Sequence, residues 1–173
     1  MNLQDKINYA NSIDLIDETI YVNRVQYHQA NSVNLIFNVI HSACNTVNLV
    51  EELRALYRIH QRQVSYYCNA CIYLGFLYKN NDIYIGTELG YHFSNQGELN
   101  NKNKLFVEQC LRIPSIRNSY LLFIGNNNIS NSEIADELLR NKIFLSEATR
   151  LRRAITIISW CKYIDKYLSK LNK

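Results

Sequence analysis

The chain has 173 residues, of which 47% are hydrophobic, and it carries a formal net charge of +4. This length supports one sizeable domain or two small ones, each with a modest core. No apolar run approaches the roughly 20 residues that a membrane span needs, and residues 1–12 lack the layout of a signal peptide. We therefore expect a cytoplasmic protein without a membrane partner, whose five cysteines remain reduced thiols.

Hydrophobic periodicity predicts helices in most of the first half of the chain. These predicted helices cover residues 3–18, 33–44, 47–57 and about 61–75, with an irregular or extended stretch at 19–32. The period then changes, because two short β-type runs, 76–79 and 83–85, flank Asn80-Asn81-Asp82. That tight-turn signal predicts a hairpin, and Thr87 is expected to cap the next helix.

The second half of the chain is predicted to be helical as well. A helix over about 98–113 would join the two halves, and Pro114 suits the first turn of a helix that ends near Gly125. Ser130 or Ser132 would cap a helix over 133–141, and Ser146 would open the last long helix, through about Trp160. We therefore predict two units, 1–97 and 98–173.

Each predicted unit contains a short helix, a brief turn and a longer helix, which is typical of a helix-turn-helix. The hairpin after the longer helix of the first unit favours the winged type. The fold class expected is thus mainly α with small β-wings, in two winged helix-turn-helix units joined by a helix. A winged helix places its third helix in the major groove of DNA, where base edges differ in their donors and acceptors.

The side chains that would read DNA lie on the side of each third helix that faces away from the core. Arg pairs with guanine, Asn or Gln with adenine, and Tyr contacts phosphates or thymine methyls. In the first unit a helical wheel places on this outer side, or at its edge, Arg62, Gln63, Ser65, Tyr66, Asn69 and Tyr73. Phosphate contacts are expected at the turn and wing, from Arg58, His60, Lys79 and Asn80.

The last predicted helix carries the strongest basic signal. Residues 140–173 hold nine Lys or Arg against Glu147 and Asp165, and such a concentration favours a polyanionic partner. The outer side of this helix is predicted to carry Thr149, Arg150, Arg152, Arg153 and Thr156. Two alternatives stay open for this helix: a solvated basic tail, and burial of part of this side, near Trp160 and Ile157, by the C-terminal tail. For the first unit, the tyrosine-rich face with one arginine could equally bind protein.

Catalytic chemistry is not indicated. Cys68-x-x-Cys71 has redox or zinc spacing, but both sulfurs lie on the apolar side of a helix, so we expect two buried thiols. The four histidines form no metal-binding pattern, and the five glycines are isolated. The sequence therefore predicts a protein without an active site, metal or cofactor.

Two segments resemble a known family. RQVSYYCNACIYLGFLYKNNDIYIGTELG and EATRLRRAITIISWCKYI are similar to the winged-helix motifs in the DNA-recognition regions of some type II restriction enzymes. The matching positions are Arg62, Gln63, Tyr66, Tyr67, Asn69, Ala70, Leu74, Gly75, Thr87 and Gly90, then Thr149, Arg152, Arg153, Ala154, Thr156, Ser159, Trp160 and Ile164. Those restriction enzymes carry a nuclease domain alongside, whereas we expect none in this sequence. The resemblance therefore implies a stand-alone recognition protein, a specificity subunit or a small regulator.

The function expected is therefore sequence-specific binding of double-stranded DNA without catalysis, in a restriction-modification or transcriptional setting. A separate nuclease or methyltransferase chain and a homodimer are left open as further partners. The alternative is a winged-helix subunit that docks a protein in a larger assembly and does not touch DNA.

Overall fold

A computed structural model describes residues 1–17, 29–46, 48–126 and 128–171. Over these residues the protein is mainly helical with one small antiparallel sheet, which confirms the predicted mainly α class with a small β element. The described part of the predicted second unit, 98–126 and 128–171, contains no strand and therefore no wing. In chain order the elements are α1 Leu3–Ser12, α2 Val33–Asn45, α3 Leu49–Tyr57, α4 Gln61–Tyr73, β1 Leu77–Asn80, β2 Ile83–Gly86, α5 Glu88–Ser94, α6 Leu99–Arg112, α7 Pro114–Gly125, α8 Asn131–Arg140 and α9 Glu147–Lys170. Among the described residues, none of these helices is both long and apolar enough to cross a membrane.

The chain divides into two units. The central unit is Arg24–Leu105, and the terminal unit combines Met1–Asn23 with Phe106–Lys173. The predicted division at 97/98 is thus shifted by eight residues, and the N-terminal segment belongs with the C-terminal half. Most of the stretch predicted to be irregular, 19–32, lies outside the described residues, as does the predicted helix start at Val47.

The core of the central unit forms around α2. Its apolar stripe, which includes Ile36, Val39 and Ile40, is fully buried, because α3, α4, α5 and β2 all pack against this helix. Ser32 caps α2, since its side chain accepts a hydrogen bond from the backbone N–H of Leu35. This scaffold holds the N-terminal end of α4 at the surface.

Two glycines shape the chain on either side of the hairpin: Gly75 between α4 and β1, and Gly90 in α5. Gly75 ends the helix with φ 79°, a left-handed conformation that glycine adopts without steric cost. Thr87 caps α5 as predicted: its Oγ1 accepts from the Gly90 N–H at 3.1 Å and donates to the Gly75 carbonyl at 2.7 Å. A Cβ on Gly90 would stand 2.1 Å from the carbonyl oxygen of Phe76, so only glycine fits there.

The predicted hairpin is confirmed. β1 and β2 pair antiparallel with Asn80 opposite Ile83, and the two loop residues, Asn81 and Asp82, both have positive φ. Positive φ at both central positions defines a type I′ turn, whose twist matches that of the flanking strands.

The terminal unit is built on α7, α8 and α9, which pack against one another, and on α1, which packs against α7. Pro114 stands in the first turn of α7 as predicted, and Ser130 caps α8 in a reciprocal arrangement with Glu133. α1 is shorter than predicted and ends at Ser12. α9 is longer than predicted because its buried apolar positions continue past Trp160, to Leu168.

Candidate nucleic-acid interface

The first turn of α4 presents polar side chains to solvent. Arg58 ends α3 in the left-handed conformation with φ 52°, and His60 caps α4 by accepting a hydrogen bond from the Arg62 N–H at 3.2 Å. Arg58, His60, Arg62 and Gln63 are all exposed. The predicted exposure of these four side chains is confirmed, because the short α3–α4 turn leaves the start of α4 uncovered.

Arg62 is held in place by the core. Its Nε donates to the hydroxyl of Tyr66, one helical turn later, at 2.5 Å, and its guanidinium lies 5.6 Å from the centre of the tyrosine ring. Within the part of the chain that the structure describes, its two Nη groups make no hydrogen bond or ion pair. Such a guanidinium can pair with two acceptors at once, as guanine and phosphate offer them.

The other α4 side chains that were predicted to contact DNA are more buried than expected. Tyr66 and Tyr73 are only 7% and 1% exposed, and Ser65 and Asn69 are half-buried. The physical reason is that α4 packs against α2, α3 and β1, so more than one of its sides is covered. The prediction that Tyr66 and Tyr73 face outward is therefore wrong, and the exposed surface narrows to the first turn.

The hairpin tip places Lys79 and Asn80 at the surface, as expected. However, Lys79 Nζ lies 2.6 Å from Oδ1 of Asp82, and this hydrogen bond lowers the pKa of Asp82 and raises that of Lys79. Because the carboxylate neutralises the ammonium locally, Lys79 attracts phosphates less than an isolated lysine would.

Most side chains of α9 that were predicted to face solvent are buried or half-buried. Arg153 is 2% exposed and Thr156 is fully buried, so the prediction that they face outward is wrong. Thr149 and Arg150 are half-buried, and an Nη of Arg150 donates to the carbonyl of Leu145. The reason is that α9 packs against both α7 and α8, and this burial also covers Trp160 and Ile157. The alternative of partial burial thus applies, although the covering elements are helices and not the tail.

The observed outer side of α9 carries cations that the sequence reasoning did not select. Besides Arg152, which was predicted, the exposed cations of this helix are Lys162, Lys166 and Lys170. Residues four apart lie on one side of a helix, so the spacing of Lys162, Lys166 and Lys170 predicts that these three lysines share one side of α9. The dense cluster at 150–153 drew attention to the wrong side.

The thiols of Cys68 and Cys71 are fully buried in the core of the central unit, as predicted. Burial raises the pKa of Cys68 to about 12 and holds that of Cys71 well above its usual value. Over the described residues, no three His, Cys, Asp or Glu side chains are grouped closely enough to hold a metal ion.

Comparison with known proteins gives one match. The model of a domain of unknown function, DUF7226, matches residues 33–169. The chain belongs to this family. No curated protein and no solved structure matches it. Membership of DUF7226 carries no assigned activity, and the resemblance to restriction-enzyme recognition regions stays a prediction.

The DUF7226 match includes α2 to α8 and all but the last residue of α9, whereas α1 precedes it. The exposed cations of α4 and of α9 up to Lys166 therefore lie within the matched residues.

Proposed function

We propose that this protein binds double-stranded DNA in a sequence-specific manner, without catalysis, through the first turn of α4. The observation that carries the proposal is Arg62: an exposed guanidinium, oriented by Tyr66, with two amino groups available to a partner. In helix-turn-helix proteins the N-terminal residues of the recognition helix contact base edges, and Arg62 occupies that position in α4.

The order of elements in the central unit supports this proposal. α2, α3 and α4 followed by the β1–β2 hairpin is the order of a winged helix-turn-helix, with α4 as its third helix. In such a module Arg62 and Gln63 would contact bases, while Arg58 and His60 would contact phosphates beside them. A DNA-binding role also agrees with the cytoplasmic location expected from the sequence.

The test begins with selection of bound sequences from a random duplex library. Affinities for the selected site and for a scrambled duplex are then compared by fluorescence anisotropy for Arg62→Ala and Gln63→Ala. Each variant is expected to lose about 1–3 kcal/mol of discrimination at one base pair. Lys104→Ala, which removes one cation from α6, is the control and should leave the discrimination unchanged. Failure to enrich any sequence, or equal discrimination by all variants, would contradict the proposal.

A second candidate function is the docking of a protein partner by the same module. It is favoured by two apolar side chains at the end of α3, since Leu56 is 63% and Tyr57 is 38% exposed. Exposed aromatic and aliphatic anchors are typical of protein interfaces. If this is the role, Leu56→Ser abolishes capture of the partner, and duplex binding is absent or insensitive to Arg62→Ala.

A further inference from the structure

From Arg152 to Lys170, every exposed charged side chain of α9 is a cation. Going along the helix, the exposed positions are Glu147, Ala148, Arg152, Ile155, Lys162, Lys166 and Lys170. From Arg152 to Lys170 the row extends about 27 Å at 1.5 Å per residue. We call Arg152, Lys162, Lys166 and Lys170 the α9 basic row.

The charges of this row are not paired with acidic side chains among the described residues of the terminal unit. Across the described ranges, none of its four side chains forms an ion pair. The acid nearest in sequence to the three lysines, Asp165, is half-buried and already bound to Lys6 Nζ at 2.7 Å. Like charges four residues apart destabilise a helix, so the three lysines repel one another unless an anionic partner binds.

The surroundings of the row favour a nucleic acid over a membrane. A helix that lies on a bilayer inserts an apolar side beneath its cations, whereas the apolar side of α9 is buried against α7 and α8. The only large apolar side chain between Arg152 and Lys170 that is exposed on this side is Ile155, at 45%. Cations spaced along one exposed side of a helix suit a regular phosphate backbone.

We propose that the α9 basic row binds the phosphate backbone of duplex DNA without reading its sequence. The row belongs to the terminal unit and the first turn of α4 to the central unit. The inference rests on the proposed function: the row would supply salt-dependent affinity, and α4 would supply discrimination. The α9 basic row takes the place of the surface predicted around Arg150 and Arg153, since Arg150 is half-buried and Arg153 is buried.

The experiment uses the full chain and compares two variants of equal net charge. Lys162→Gln, Lys166→Gln and Lys170→Gln together remove the row's lysines, and Lys102→Gln, Lys104→Gln and Arg112→Gln together remove three cations from α6. Binding to a random duplex of about 20 base pairs is measured over a salt titration. The row variant is expected to bind at least tenfold more weakly, with a salt slope smaller by about 2–3, while the α6 variant keeps the wild-type slope.

Additional variants and a vesicle-binding measurement test whether the row binds duplex DNA through its charge. The arginine version of the row, with Lys162, Lys166 and Lys170 all changed to Arg, keeps the charge and should keep the slope. Equal losses in the row and α6 variants, or an unchanged slope in the row variant, would overturn the proposal. So would row-dependent binding to vesicles containing phosphatidylserine with no row-dependent binding to the duplex. Arg62→Ala is run in parallel: if it retains discrimination while the row variant loses affinity, the proposed function of α4 fails and the row's role stands.

Discussion

The hydroxyl of Tyr66 accepts a hydrogen bond from Nε of Arg62 at 2.5 Å, so a buried side chain orients an exposed one. The guanidinium also lies over the same ring, 5.6 Å from its centre. An arginine held in this way has fewer rotamers to lose when it binds, and that preorganisation increases affinity. Tyr66 itself is buried because α4 packs against α2, α3 and β1.

Tyr66→Phe tests this link directly. The variant keeps the ring but removes the acceptor, so we expect the unfolding free energy to fall by about 0.5–1.5 kcal/mol. The Arg62 Nε–H should exchange faster with solvent, as measured by NMR, and duplex affinity should fall several-fold. Tyr78→Phe, in the hairpin, is the control. Unchanged exchange at Arg62 in the Tyr66 variant would show that the hydroxyl does not hold the guanidinium.

Asp82→Asn should strengthen duplex binding. Asparagine tolerates the left-handed conformation of this turn position, φ 66°, but it no longer neutralises Lys79. One more phosphate contact would steepen the salt slope by about 0.9. Glu98→Gln removes the same charge elsewhere in the central unit and should not change the slope. If both variants give the wild-type slope, the hairpin tip does not contact the duplex.

The five cysteines should differ in reactivity. Cys44 is half-buried and the other four are buried. The pKa of Cys68 is raised to about 12, so at pH 8 almost none of it is the reactive thiolate. Iodoacetamide at pH 8 should therefore label Cys44 first in the native protein, and all five in urea, as read by mass spectrometry. Native labelling of Cys68 as fast as that of Cys44 would contradict its burial.

Arg117 ties the N-terminal segment to the end of α6. Its Nε donates to the carbonyl of Leu111 at 2.8 Å, an Nη donates to that of Ile13, and the side chain is 7% exposed. Arg117→Met leaves both carbonyls without this donor, so we expect the unfolding free energy to fall by about 1–3 kcal/mol. Hydrogen exchange of residues 13–17 should also rise. Arg112→Met, at an exposed position, should change neither quantity, and equal effects of the two variants would refute this role for Arg117.

The start of the candidate surface could be predicted from local patterns. The helical wheel of α4 placed Arg62 on the outer side and Gln63 at its edge, and both are exposed. The buried state of Tyr66 could not be predicted, because a helical wheel assumes one covered side and α4 has several neighbours. The four-residue spacing of Lys162, Lys166 and Lys170 places them on one side of α9, but that this side faces solvent follows only from the packing of α9 against α7 and α8.

The sequence by itself determined the features that depend on neighbouring residues in the chain. The type I′ turn at Asn81–Asp82, the cap by Thr87 and the start of α7 at Pro114 all follow from backbone preferences and short-range hydrogen bonds. Only the tertiary structure decided which side of α9 faces solvent. Burial is set by how many elements pack on a helix, so Arg153 lies inside and Lys162 outside, although both are basic residues of the same helix.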